Sequence, residues 1–300
     1  MRDSVSLALG MFDGVHIGHK ALINKALEFS PDAIPVVFTF SNHPASIFKR
    51  PVKLLSLPFE KELLLKACGA QRVEMIAFDE HFAALSPEEY IKFLISQFNI
   101  KNIIVGYNHV FGKAAAGNGA ALIRYGKVYG YKTFIVPPVL LGDTPVSSTQ
   151  IRQSLTQGEI EKANAMLGYN YFLTGTVVGG KQIGAELGFP TANISVDFQK
   201  QLPKDGVYIT LTKLNGTLHR SITNIGNNPT VSQEGKTSIE THILRFNDDI
   251  YDEVLRIYFV KKLRDEIAFS SRDALSHQLS FDKQNADAFL NNYLSLAKIF

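Results

Sequence analysis

The chain has 300 residues, 45% apolar and 20% charged, a globular composition long enough for two domains with separate cores and unlike a disordered or collagen-like one. Its 31 Lys and Arg against 28 Asp and Glu give a net charge of +3, which suits anionic small molecules and is too weak to argue for nucleic acid. The single cysteine, Cys68, excludes an intrachain disulfide and a multi-cysteine zinc site.

Residues 5–9 form an apolar run ending at Gly10, too short for a signal peptide, and no run of about 18 apolar residues predicts a membrane span. A cytoplasmic enzyme is the plain expectation. Residues 20–28 then read as a helix, 34–40 as a buried strand, 59–68 as a helix and 72–78 as a strand. Pro87 opens a predicted helix over 88–98, followed by a strand at 101–106, a helix at 120–129 and a strand at 132–137. Short buried strands alternating with helices predict an α/β unit, a parallel sheet with helices on both faces.

After a helical stretch at 159–167 the rhythm changes. Strand-like runs at 171–178, 207–214, 218–225, 238–244 and 254–260 are separated by turn residues, among them Asn215-Gly216, a strong hairpin signal. These runs predict a small antiparallel barrel, followed by a helical tail over 272–278 and 285–298. The expected domains are residues 1–167 and 168–300.

The sharpest motif is Gly10-Met11-Phe12-Asp13-Gly14-Val15-His16-Ile17-Gly18-His19, between the first strand and the first helix. Ligands of open parallel sheets bind beside such turns, and a helix N-terminus favours anions. Two imidazoles three residues apart could donate hydrogen bonds to a phosphate whose charge grows in a transition state. The plainer alternative is that His16 and His19 cap the helix or pack.

This stretch resembles the HxGH signature of the nucleotidyltransferase superfamily. With Phe12-Asp13-Gly14 it is similar to the bifunctional bacterial riboflavin kinase/FMN adenylyltransferase family. Thr39-Phe40-Ser41-Asn42-His43-Pro44, Val105-Gly106-Tyr107-Asn108-His109-Val110-Phe111-Gly112 and Ser147-Ser148-Thr149-Gln150-Ile151-Arg152 are similar to further segments, in the family's order. The resemblance implies a Rossmann-like nucleotidyltransferase domain. It makes His16, His19 and Arg152 catalytic and gives Ser148 and Thr149 the ATP phosphates. Gly10, Phe12, Asp13, Gly14, Gly18 and Asn108 become ligand-binding positions. Without it, Ser147 and Ser148 read as an ordinary helix N-cap and Arg152 as a solvated helix residue. Two features depart from the pattern. Ala114-Ala115-Ala116 stands where the family often carries an arginine, and Asn108 where relatives can be acidic.

The second cluster runs from Gly175 through Gly179-Gly180-Lys181-Gln182-Ile183-Gly184 to Gly188-Phe189-Pro190-Thr191-Ala192-Asn193. Its GFPTAN string resembles the riboflavin kinase signature. That resemblance implies Gly175, Lys181, Gly184 and Pro190 around ATP, and Thr191 and Asn193 as oxygen ligands for Mg²⁺. Read without it, Thr-Ala-Asn is a self-bonded turn. Asn224-Ile225-Gly226-Asn227-Asn228-Pro229-Thr230 and Ser238-Ile239-Glu240-Thr241-His242 resemble later family elements. In a strand Glu240 and His242 share one face, which makes Glu240 a general-base candidate; the alternative is an edge-strand charge. Leu263-Arg264-Asp265-Glu266 resembles a flavin-proximal element, with Arg264 either on flavin or paired with a carboxylate. Ala185 replaces a basic residue of the family, and Lys181 is the loop cation placed to supply that charge.

The implied function is ATP-dependent phosphorylation of riboflavin to FMN by the barrel and adenylylation of FMN to FAD by the N-terminal domain, with Mg²⁺ at both sites. Riboflavin, FMN, FAD and ATP are the expected ligands, with no nucleic acid or membrane partner, and the sequence leaves the oligomeric state open. Retention of only one activity, or a non-catalytic flavin- or nucleotide-binding regulator, remain the alternatives at this point.

Overall fold

The computed structural model describes residues 3–47, 52–180, 188–227 and 237–293. It divides into two compact units, Met1–Ser148 and Thr149–Phe300.

The first unit alternates strand and helix: β1 (Ser4–Leu9), α1 (Ile17–Leu27), β2 (Ile34–Phe40), α2 (Pro58–Ala67), β3 (Arg72–Ile76), α3 (Glu80–Ala84), α4 (Pro87–Gln97) and β4 (Asn99–Gly106). After β4 come a small hairpin, β5 (Val110–Phe111) and β6 (Gly117–Asn118), then α5 (Gly119–Tyr129), β7 (Lys132–Val136) and a second hairpin, β8 (Leu140–Leu141) and β9 (Thr144–Pro145). The main sheet is parallel, in the order β3-β2-β1-β4-β7. Its three central strands, β1, β2 and the second half of β4, are buried and so read as apolar runs, whereas the edge strands β3 and β7 are only partly covered. The chain winds outward from β1 to β3 and then returns to the other side of β1, so the switch of direction falls between β1 and β4. Ligand crevices of open sheets lie at the carboxyl ends of the strands at such a point. Here those ends carry Gly10 and Gly106.

The helix start at α1 lies three residues before the expected one because His16 caps it: its Nδ1 accepts from the His19 amide at 3.3 Å. The helix α3 was not foreseen. Asp79 caps it through the Phe82 amide, and Phe82 packs among Phe38, Phe40, Phe78 and Phe93.

The second unit takes α6 from its second residue onward (α6 spans Ser148–Gln157) and continues with α7 (Ile160–Leu167). This division and the one expected after residue 167 differ by these two helices. Both are tied to the barrel, since the Lys204 amide donates to the Leu155 carbonyl and Asn164 Nδ2 donates to the Phe259 carbonyl. The barrel strands are β10 (Phe172–Val178), β11 (Ala192–Val196), β12 (Gly206–Leu214), β13 (Thr217–Asn227), β14 (Thr237–Ile243) and β15 (Val254–Arg264). They close antiparallel in the order β10-β11-β14-β13-β12-β15. Asn215-Gly216 makes the β12–β13 turn, with both residues at positive φ. The inward face carries a run of buried hydroxyls, Thr212 to Ser221 to Thr210 to Thr223 to Thr241, joined at 2.8–2.9 Å.

The expected two-piece tail is one helix, α8 (Arg272–Tyr293), over the described residues. Between the two expected pieces Asp282 is 2% exposed and takes a bidentate pair from Arg264. Ala286 and Leu290, one and two turns on, are fully buried.

Candidate active sites

The glycine-rich turn after β1 holds three residues at positive φ: Phe12 at 50°, Gly14 at 78° and Val15 at 38°. Its geometry is fixed from below. Asp13, 1% exposed, accepts from the Leu55 and Ser56 amides at 3.0 and 3.1 Å, and the Gly14 amide donates to Ser56 Oγ at 2.9 Å. Asp13 is therefore placed as an anchor of the loop, although the resemblance set it among the ligand-binding positions. Phe12 is fully buried against the His19 ring. A Cβ on Gly10 would lie 3.1 Å from the Phe12 ring. Ser148 Oγ donates to the Asp13 carbonyl at 2.9 Å, which ties the SSTxIR element's second serine to the signature loop. Thr149 and Arg152 follow in α6, in the second unit.

His16 and His19 stack with ring centroids 3.6 Å apart. The glycine between them is needed there, because a Cβ on Gly18 would come within 3.1 Å of the His16 ring. Burial lowers the His16 imidazole to about 4, against the opposing pull of Asp13. His19 is pushed well below its ordinary value, by burial first and then by His16 and Lys61. Both rings are neutral at pH 7. Because His16 Nδ1 accepts a backbone N–H, its proton sits on Nε2, which is left as a donor. Two neutral imidazoles at the start of α1 are suited to meet a polyphosphate as hydrogen-bond donors, beside the positive end of the helix dipole.

Beyond β4, Asn108 is exposed, whereas the His109 ring is largely enclosed, stacks on Phe111 and is lowered to about 4 by burial. Ala114, Ala115 and Ala116 are exposed on the 3-10 turn that follows, with Ala114 and Ala115 at φ 54° and 57°. Sequence reasoning passed over Lys61. It lies on the buried stripe of α2 with Leu64 and Leu65, and is itself only 1% exposed. A lysine three and four residues before buried leucines was the available signal.

In the barrel, Ala192 and Asn193 open β11, with Thr191 just before it. Asn193 in β11 lies opposite Glu240 in β14, and Asn224 in β13 lies opposite Glu240 on the other side. Thr191 Oγ1 donates to Glu240 Oε2 at 3.4 Å. His242, two residues on and so on the same face, donates from Nδ1 to the Pro190 carbonyl at 2.7 Å, and Phe189 meets its ring edge-on. Gly175 lies in β10, between Val196 and Leu255 in register. A Cβ on Gly180 would collide with the Asn193 amide. Lys181, Gly184 and Ala185 lie outside the described residues. Arg264 takes the carboxylate alternative: it pairs with Asp282, and Phe269 lies 5.9 Å from its guanidinium.

An HxGH-type turn at the switch point of a parallel sheet, in one chain with a closed barrel carrying Thr, Asn and Glu on its outer face, defines a bifunctional transferase acting on phosphates. Residues 2–150 match the family model described as FAD synthetase, and residues 167–290 the one described as riboflavin kinase. A bifunctional riboflavin kinase/FMN adenylyltransferase of Listeria monocytogenes is 33% identical over 288 residues, 94% of this chain and 91% of that protein. The protein of the same description from Escherichia coli K12 is 33% identical over 290 residues, covering 94% and 92%. A solved structure from Streptococcus pneumoniae, described as a macrolide-efflux protein, superposes with a TM-score of 0.87 at 31% identity, covering 95% of this chain and 94% of that one. The chain belongs to the bifunctional riboflavin kinase/FMN adenylyltransferase family. It is an enzyme of flavin cofactor biosynthesis with a riboflavin kinase and an FAD synthetase domain, and ATP is a substrate of both activities. No helix among the described residues is long and apolar enough to cross a membrane.

Proposed function

We propose that the two reactions are carried by the residues just described, in the cytoplasm, with ATP as donor in each. In the barrel, Glu240 takes the proton of the ribityl 5′-hydroxyl as that oxygen attacks the γ-phosphorus of ATP. The bond to the bridging oxygen breaks, and FMN and ADP result. The observation that supports this most directly is the convergence of Thr191, Asn193 and Glu240 at one end of β11. These are hard oxygen donors, and the Gly180 backbone closes on Asn193 where a side chain would not fit. That set fits Mg²⁺, which Thr191 and Asn193 would hold. When bound, the ion neutralises charge on the transferred phosphoryl group. His242 holds the Pro190 carbonyl and so keeps Thr191 beside Glu240.

In the first unit a phosphate oxygen of FMN attacks the α-phosphorus of a second ATP, and pyrophosphate leaves without a covalent intermediate. His16 and His19 donate hydrogen bonds where charge develops. Thr149 and Arg152 of α6 are proposed as phosphate-binding groups, an arginine fork and a hydroxyl being suited to that. Asn108, at the carboxyl end of β4, is proposed to face FMN. Incubation with riboflavin, ATP and Mg²⁺, followed by separation of products, tests the reading. FMN appearing first and FAD second is the expected result; FMN alone removes the adenylyl-transfer assignment, and neither product removes both.

A further inference from the structure

The signature loop contains three left-handed residues in four, two of them with side chains, and such a backbone persists only where its surroundings over-determine it. Part of that determination is a cation. Lys61, 1% exposed, reaches from α2 beneath the loop and donates from Nζ to the Phe40 carbonyl at 2.7 Å and the Met11 carbonyl at 3.1 Å. Thr39 Oγ1 donates to the same Met11 carbonyl at 2.9 Å. The lysine thereby joins the carboxyl ends of β1 and β2 at the start of the GMFDG turn. An apolar residue would fill this space without burying a charge, and two carbonyls are neutral acceptors that a buried ammonium does not need for packing. A positive charge kept here at that cost lies below the place where the anionic groups of both substrates would meet.

We propose that Lys61 is a positioning residue of the adenylyl-transfer reaction: it fixes the signature loop through the Met11 and Phe40 carbonyls and sets a buried positive charge behind the His16–His19 pair. The inference rests on the adenylyltransferase reading given above. The groups in electrical contact with Lys61 are Asp13 from the loop and His19 from α1, itself stacked on His16. Its neighbour on α2, Glu60, accepts from the Leu57 amide, and β2 brings the uncharged Thr39. Burial lowers the Lys61 ammonium to about 8, against the pull of Asp13, so it is charged at pH 7 and loses its charge just above. While charged it opposes protonation of His19.

The test uses the full chain with Lys61→Met and Lys61→Arg. FAD formation from FMN and MgATP is followed from pH 5 to 9, riboflavin phosphorylation by the same preparations reports on the barrel, and hydrogen exchange across β1, β2 and β4 reports on folding of the first unit. In the wild-type enzyme FAD formation should decline above about pH 8 while kinase activity does not. Lys61→Met should lower the rate of FAD formation by roughly 10- to 100-fold and move the acid limb of its profile upward, with kinase activity kept. Lys61→Arg should retain more activity than Lys61→Met and lose the decline above pH 8. A wild-type profile in Lys61→Met overturns the proposal. So does equal loss in both variants with an unmoved pH profile, which is the mark of a packing role. Failure of the wild-type chain itself to make FAD from FMN would instead overturn the adenylyltransferase reading.

Discussion

The two candidate sites, as proposed, would present groups to ATP phosphates by opposite means. In the first unit the groups sit on a strained turn between a strand and a helix, and deep contacts to Leu55, Ser56 and Lys61 hold it. Its two imidazoles are buried, stacked and neutral. In the barrel the groups sit on adjacent strands, where the hydrogen-bond ladder itself sets Asn193, Glu240 and Asn224 side by side. A turn needs an underlying scaffold to be rigid, whereas a ladder is rigid by construction. Damage to the first site should therefore be transmitted from a distance, and damage to the second should be local.

The strongest way to break this comparison is Glu240→Gln, which keeps shape and removes the base. Phosphorylation of riboflavin should fall by roughly 10²–10⁴-fold while FAD formation from supplied FMN continues. Joint loss of both rates would mean the sites are not separate. Next come His16→Ala and His19→Ala, each expected to lower FAD formation by about 10²–10³-fold with kinase activity retained. His16 also caps α1, so a large drop in the melting temperature of the first unit would assign these rings to structure.

Two smaller effects sharpen the contrast. Asp282→Asn leaves Arg264 without its bidentate partner. Arg264 is partly exposed, so a loss of about 2 kcal/mol is expected, below the cost for a wholly buried pair. Thermal inactivation of the kinase should come earlier than in the wild type, and that of the adenylyltransferase should not. The last effect concerns pH. An unfolded histidine takes a proton near 6.5, whereas folded His16 and His109 take one only at about 4. The unfolded chain therefore binds more protons as pH falls through this window, and the folded first unit loses stability there. Hydrogen exchange at pH 5 against pH 7 should show faster opening of the first unit. Equal opening at both values would remove the buried neutral imidazoles.

Much of this was legible in the residues because local and tertiary preferences agree. The strand at 34–40 is apolar but for Thr39 and buried over 35–39, and Pro87 stands at the start of α4 with Ser86 as its cap. What escaped did so for stated reasons. β11 begins inside GFPTAN, where Pro190 and small polar residues look like a turn, and only pairing with β14 makes Asn193 a strand residue. α8 was read in two pieces, 272–278 and 285–298, and Asp282 between them is held by Arg264, a partner more than a dozen residues earlier in sequence. Asp13 was read from its motif as facing a ligand, but its acceptors' partners are backbone amides some 40 residues away. Lys61 escaped because a lone lysine on a helix is ordinarily on the water side. His16, His19 and Glu240 stand out as candidates because their chemistry and their spacing coincide in short segments.

The hydroxyl chain inside the barrel acts as a vernier on the outer face. Side chains alternate along a strand, so slipping β13 against β14 by one residue would carry Thr223 away from Thr241 and, in the same movement, Asn224 away from Glu240. An all-hydrocarbon interior would tolerate such an offset far better than paired hydroxyls do, since a displaced hydroxyl in a dry core finds no acceptor. The interior thereby acts as a proofreading scale: strands that assemble with a correct inner alignment have, without further selection, aligned the carboxylate and amides on which the proposed phosphoryl transfer depends.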